Sequence, residues 1–261
     1  MRVRRGGCAV AGTRPYPRPV SADPLAWLMT LEGVPSGLAS ARDGIDAVLR
    51  DRGLRRTSPE TTAESLLRGA HASAVLEGSA STLAEIREGA GDEIATDAVR
   101  VSAEVLALMP VVRSQPLQAL ARLHAVASAG SLPADLRGRP RDAEAAQTLR
   151  ALSSLITART EAPALAVAAV VHADLATAAP FGSHNGIVAR AAERLLLAAR
   201  GVDEKSLVVP EAGHLALRAE YESNLRGWSS GSAAGRHSWL LYAAEAYAAA
   251  AEASPLRREA E

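Results

Sequence analysis

The sequence has 261 residues, 48% of them hydrophobic and only 3% aromatic, which supplies a substantial core for one large domain or two small ones. Its 29 basic and 29 acidic residues cancel, so neither nucleic acid nor a membrane surface is an expected partner. One cysteine, Cys8, excludes an intramolecular disulfide and a cysteine-rich zinc site, and no metal ligand set is identified.

Pro15, Pro17, Pro19 and Pro24 remove amide donors and restrict their neighbours, predicting a flexible, extended segment over 1–34 or a proline-rich docking segment. Cys8 falls here and is expected to be an inert thiol. The basic start, Met1 to Arg5, is not followed by an apolar signal core, so a cytoplasmic protein is expected. Trp27 and Leu28 are placed where the folded part begins. Leu38, Ile45, Val48 and Leu49 share a helical face over 38–51, with Gly53 as its stop. Ser58, Pro59 and Glu60 then read as a cap, a first-turn proline and an early acid. That helix runs through Leu66, Leu67, Ala70 and Ala74 to Glu77 and ends at Gly78, with Ser73 and Glu77 on one face.

A polar connection over 79–93 holds a short helical piece from Thr82, and a helix over 95–109 is broken at Pro110. A helix over 117–127 carries His124, read as a packing or hydrogen-bonding residue. In 131–141, Arg137, Arg139 and Arg141 form either an anion-attracting rim or a solvated basic loop, and no alternating strand pattern is present. Helices follow over 142–158 and 163–178. The stretch 163–180 comes nearest to a membrane span but contains His172 and Asp174. His172 is expected to make a core hydrogen bond.

Between two alanine- and leucine-rich helices lies Pro180-Phe181-Gly182-Ser183-His184-Asn185-Gly186, a loop feeding a helix N-terminus. The first amides of such a helix lack intrahelical acceptors and its dipole adds partial positive charge, so a phosphate suits the place. Gly182 and Gly186 permit close backbone approach or positive φ, Asn185 is a candidate cap, and Arg190 sits about one turn in. An ordinary tight connection between helices accounts for these residues equally well. The outgoing helix, 186–200, is apolar nearly all round, marking the centre of a bundle, and Gly201 ends it. Helices over 211–226 and 238–252 close the chain before a charged tail at 253–261. The expected organisation is thus a single domain over 35–252.

Residues 179–190, A-P-F-G-S-H-N-G-I-V-A-R, resemble the signature loop of the Fic (Fido) family, H-P-F-x-[DE]-G-N-G-R-x-x-R. Pro180, Phe181, Asn185, Gly186 and Arg190 match. Residues 73–85 resemble the family's inhibitory segment, S-x-x-[IV]-E-G-N-x-x-T-L, through Ser73, Glu77, Gly78, Thr82 and Leu83. Leu123-His124, Tyr221, Leu225 and Trp239-Leu240 extend the likeness over roughly 35–250. The resemblance implies an all-α Fic bundle with a reduced or absent β-hairpin flap. It further implies an inhibitory helix around 60–78 whose Glu77 pairs with Arg190, and a nucleotide, usually ATP, at Phe181 to Gly186 and Arg190. Family members transfer AMP to a target hydroxyl and often form dimers, so a protein target and a homodimer are implied as well.

The departures fall on the chemistry. Where the family has its general-base histidine, metal-binding acid, first loop glycine and first arginine, this chain has Ala179, Ser183, His184 and Ile187. Alanine accepts no proton, and serine brings no negative charge to a magnesium ion, so Mg2+ is doubtful. Three readings remain open: a degenerate Fic-fold protein that binds a nucleotide, another phosphorylated ligand or a protein partner; an active AMP-transferase-like enzyme using His184 as a displaced base; and a non-catalytic helical interaction module.

Overall fold

The computed structural model describes residues 23–50 and 58–257. Expectations for Cys8, for the prolines before residue 23 and for Gly53 lie outside the described residues. A 3-10 helix, Ala26–Thr30, precedes twelve α-helices, and no β-strand is present among the described residues. The chain is already folded at this point, inside the segment read as flexible. Leu28 is buried, whereas Trp27 stays over one-third exposed beneath the Arg236 guanidinium, 5.8 Å from its ring centroid.

Helix α1 (Val34–Arg50) buries Val34, Leu38, Ala41, Ile45 and Val48, one stripe at helical spacing. Helix α2 (Pro59–Leu76) ends where expected, with Glu77 at its C-cap and Gly78 at φ 98°. Ser58 occupies the N-cap but makes no side-chain capping bond; Pro59 at the first position leaves one fewer amide to cap. Helix α3 (Leu83–Arg87) opens on a full capping box between Thr82 and Glu85. Helix α4 (Glu93–Glu104) is capped by Asp92, whose carboxylate accepts from the Ala95 amide at 2.8 Å.

Pro110 does not end a helix. After a 3-10 turn at Leu106–Leu108 it sits in the first turn of α5 (Met109–Ser114), where its missing N–H would have had no partner. Helices α6 (Pro116–Ala127), α7 (Ala143–Thr157), α8 (Ala164–Ala178) and α9 (Asn185–Ala199) follow close to expectation. The closing stretch 211–226 is two helices, α10 (Pro210–Ala216) and α11 (Arg218–Ser229), parted at Leu217. The break lets α10 lie against α2 and α12 (Ala233–Glu252) while α11 turns towards α8. Helix α12 starts five residues before the expected 238, because Ser232 caps it through the Gly235 amide.

The apolar helices α8 and α9 form the central pair. α1, α11 and α12 gather on the α8 side, and α2, α4, α5 and α6 pack against α9. Nearly every residue of α9 is buried, and each large apolar side chain there contributes about 1.5–3 kcal/mol. Small residues set how closely the outer helices approach. A Cβ on Gly213 would lie 2.1 Å from the Ala246 carbonyl of α12, and one on Gly69 would lie 2.5 Å from the Arg194 guanidinium. No described helix is long and apolar enough to cross a membrane.

Candidate functional site

The loop between α8 and α9 turns on left-handed residues, but not at its glycines. Ala179, at φ 43°, ends α8, and His184, at φ 56°, stands at the N-cap of α9. Neither Gly182 nor Gly186 has positive φ. Gly182 faces open space, whereas Gly186 is needed for close approach, since a Cβ there would lie 2.1 Å from a Glu77 carboxylate oxygen. Asn185 does not cap the helix either. It is the helix's first residue, and its amide group reaches back to hold both the N–H (2.9 Å) and the carbonyl (3.0 Å) of Phe181. That closes the loop into a rigid turn.

Phe181 is buried and stacks on the His124 ring, with centroids 4.3 Å apart and planes within 7°. The Gly138 amide donates to His124 Nδ1 at 2.9 Å, which leaves the imidazole hydrogen on Nε2, buried and without an acceptor. Burial, with His184 nearby, holds the His124 imidazole down at about 4, so it is neutral near pH 7. On the loop's other edge, Arg141 donates its amide to the Pro180 carbonyl at 2.9 Å, and Pro140 forms a single antiparallel bridge to Phe181. That bridge is all the strand pairing found where a hairpin flap was expected to be reduced. Of the two readings of the arginines, the solvated loop fits and the anion-attracting rim does not: Arg141 pairs with Asp142, Arg139 is exposed, and Arg137 lies in a separate groove of about 660 Å³ with Arg100, Arg122 and Glu104.

The amides of Gly182 through Ile187 have no acceptor among the described residues, so the turn presents a run of donors at a helix N-terminus. Glu77 lies over this run. Its carboxylate accepts from Arg190 Nη2 at 2.7 Å while standing against Gly186. Arg190 is buried, and its other donors are taken by the Ser73 hydroxyl (2.9 Å), the Ser73 carbonyl (3.1 Å) and the Tyr221 hydroxyl (3.2 Å). Burial alone would lower its affinity for a proton, but Tyr221 and Glu77 outweigh that and hold the guanidinium charged. The structure thus brings Ser73, Glu77, Gly186 and Arg190 together, as the sequence led us to expect.

Behind Arg190 runs a buried polar chain. Tyr221 bonds His172 Nε2 at 3.0 Å, and Glu193 Oε2 accepts from both His172 Nδ1 and His214 Nε2 at 2.8 Å. Tyr242 donates to His214 Nδ1 at 2.7 Å, and the Tyr247 hydroxyl lies 2.8 Å from Glu193 Oε1. Every side-chain polar atom of this buried polar chain has a hydrogen-bond partner. Burial pushes the Glu193 carboxyl up, yet the two histidines overcome it and hold it well below its ordinary range. His172, Glu193 and His214 are the one trio among the described residues with metal-ligand geometry, but their donor atoms are already spent on one another. Beside this chain, Arg194 pairs with Glu211 at 2.8 Å and bonds Ser65 and Ser206, tying α2 to α9 and α10.

Sequence reasoning passed over Glu193, Arg194, Glu211 and His214. The available signal was the charge of Glu193 and Arg194 inside a helix otherwise read as apolar all round, where a charge has to find a partner. Asp97, which accepts from His184, was also missed, because it lies 87 residues away on α4.

No family profile matches the chain, and no curated protein does. Solved structures do. A Fic family protein from Desulfovibrio desulfuricans G20 superposes with a TM-score of 0.68 at 16% identity, over 84% of this chain and 73% of that one. Fic-1 of C. elegans gives 0.65 at 18%, covering 84% and 71%, and a variant of it gives 0.61 at 18%, covering 82% and 70%. The chain has the Fic fold. In this Fic-fold chain the loop over 180–190 presents its turn and its amide donors; Ala179 before it offers no proton acceptor, and Ser183 supplies no charge to offset a cation.

Proposed function

We propose that this protein is a degenerate Fic-fold nucleotide or phosphate-ester binder, held closed by Glu77 and without ordinary AMP transfer. The reading rests above all on the placement of the Glu77 carboxylate against Gly186 and on Arg190. One anion already occupies the position that suits another. The unpaired amides of Gly182 to Ile187 fit a phosphate, which Arg190 would meet once Glu77 swings away. A bound nucleotide would supply the phosphoryl electrophile, but Ala179 cannot take a proton from an acceptor hydroxyl.

Thermal shift of the wild type and of Glu77→Gly with ATP, AMP and inorganic phosphate, with and without magnesium, tests the reading. Saturation at a hundred times the dissociation constant stabilises the fold by about 2.7 kcal/mol. A shift in Glu77→Gly that is smaller or absent in the wild type, and independent of magnesium, is the expected outcome. No shift in either protein at millimolar nucleotide would end it.

A further inference from the structure

The same loop carries a second constellation that nucleotide binding does not use. Ser183 Oγ lies 2.6 Å from His184 Nδ1, and His184 Nε2 lies 3.0 Å from Asp97 Oδ2. An ionised carboxylate only accepts, so the imidazole hydrogen sits on Nε2 and donates to Asp97. Nδ1 is left as a lone pair facing the serine hydroxyl. Asp97 is buried, and its other carboxylate oxygen is engaged by Arg100, which fixes it in place. The His184 side chain is 16% exposed and Ser183 is partly exposed, so the hydroxyl stands on the solvent side of the unit. The left-handed backbone of His184 is one that residues other than glycine seldom adopt, and here it holds the imidazole beside its neighbour's oxygen.

We infer that Ser183 is a nucleophile with His184 as its general base and Asp97 as a positioning residue, acting on small neutral carboxylic esters. Charge points to this substrate class. The guanidiniums of the residues bonded to the loop or to this unit are each matched by a carboxylate: Arg190 by Glu77, Arg100 by Asp97 and Arg141 by Asp142. None of these three brings unmatched positive charge for a polyanion. An ester carbonyl needs only hydrogen-bond donors as its oxyanion forms, and two of the unpaired amides, those of Ser183 and His184, are such donors, leaving Gly186 to the Glu77 carboxylate. Ser183 Oγ attacks the carbonyl carbon and its proton passes to His184 Nδ1. The bond to the alcohol oxygen then breaks, and the leaving alcohol takes that proton. Water, deprotonated by the same imidazole, cleaves the acyl-serine to a carboxylic acid and restores the hydroxyl. This activity belongs to the state with Glu77 seated and does not depend on nucleotide binding.

A fluorophosphonate probe reads the nucleophile directly: Ser183 Oγ bonds phosphorus, fluoride leaves, and the proton goes to His184. Intact mass and peptide mapping of the full chain should show one adduct, on Ser183. It should vanish in Ser183→Ala and form about a hundredfold more slowly in His184→Ala. Both substitutions lie on a partly exposed loop, and melting curves show whether each variant is folded. Asp97→Asn should lower the maximal labelling rate at least tenfold while leaving the half-saturating probe concentration unchanged, a split that a loss of packing alone would not give. Hydrolysis of p-nitrophenyl acetate should exceed that of p-nitrophenyl hemisuccinate. Absence of an adduct in the wild type, an adduct on another residue, or equal labelling of folded His184→Ala would overturn the inference. Preference for the anionic ester would overturn the substrate class.

Discussion

Removing Glu77 exposes what the Arg190 contact is worth. Breaking a buried ion pair from one side costs about 3–5 kcal/mol when the surviving charge is left alone. Here the side chain of Glu77 is 33% exposed, which weakens the pair through solvent screening, and Arg190 keeps the Ser73 hydroxyl, the Ser73 carbonyl and the Tyr221 hydroxyl as acceptors. The loss in Glu77→Gly should therefore be about 1–2 kcal/mol, lowering Tm by roughly 2–8 °C for a chain of this size. Gly gains nothing locally, because Glu77 sits at φ −89°, a conformation any residue adopts. The same 1–2 kcal/mol no longer opposes an incoming anion, so the affinity for ATP or phosphate should rise about 5- to 30-fold. Scanning fluorimetry gives the first number and titration calorimetry the second. An unchanged Tm together with unchanged anion affinity would refute the pairing as an energetic element.

Gly213→Ala, which sets a methyl 2.1 Å from the Ala246 carbonyl, should force α10 off α12, costing about 1–3 kcal/mol or more and reducing soluble yield; a wild-type melting curve would contradict the packing described. Glu193→Leu removes the acceptor of both buried imidazole N–H groups and should cost about 3 kcal/mol by denaturant unfolding; an unchanged midpoint would argue against the buried chain as described. His124 has a folded pKa of about 4 against an unfolded value near 6.5, so the unfolded state binds more protons between those limits. Its contribution to stability is thus intact above about pH 6.5 and is lost as pH falls towards about 4. Exchanging it in His124→Gln should flatten the slope of stability with pH in that window, and an unaltered slope would argue against a neutral buried imidazole.

Helix positions were largely readable because each depends on local rules: a first-turn proline as at Pro59, an apolar stripe as in α1, or a glycine at a helix end as at Gly78. The misreadings came where two local rules compete. Pro110 either ends a helix or begins one, and only the 3-10 turn before it decides. Leu217 carries no breaker signal at all; both α10 and α11 lie on α12, and the break comes from the second neighbour of each, α2 for α10 and α8 for α11. In the site, Glu77 and Arg190 were legible because two motifs named them in advance. Asp97 and His214 were not, since nothing near either residue marks which distant helix will face it. Residue type misled at the loop itself, where glycines suggested the left-handed positions that Ala179 and His184 occupy instead.

The way α2 is anchored limits how the closed state can open. Two arginines one turn apart on α9 hold it: Arg194 grips Ser65 while also bonding Glu211, and Arg190 grips Ser73 through both its hydroxyl and its carbonyl. Gly69, between those serines, lets the helix lie directly on the Arg194–Glu211 pair. Releasing the whole helix would take Glu77 and Ser73 from buried Arg190 and the Ser65 oxygens from buried Arg194, at a cost of several kcal/mol that a weakly held ligand could not offset. Swinging the Glu77 side chain costs only its one charge-assisted hydrogen bond, and Gly78 just beyond it, with open space around it, lets the backbone there adjust. On the proposed function, opening is a movement of one carboxylate over a fixed helix, with Ser73 and Tyr221 keeping the arginine in place to meet the anion.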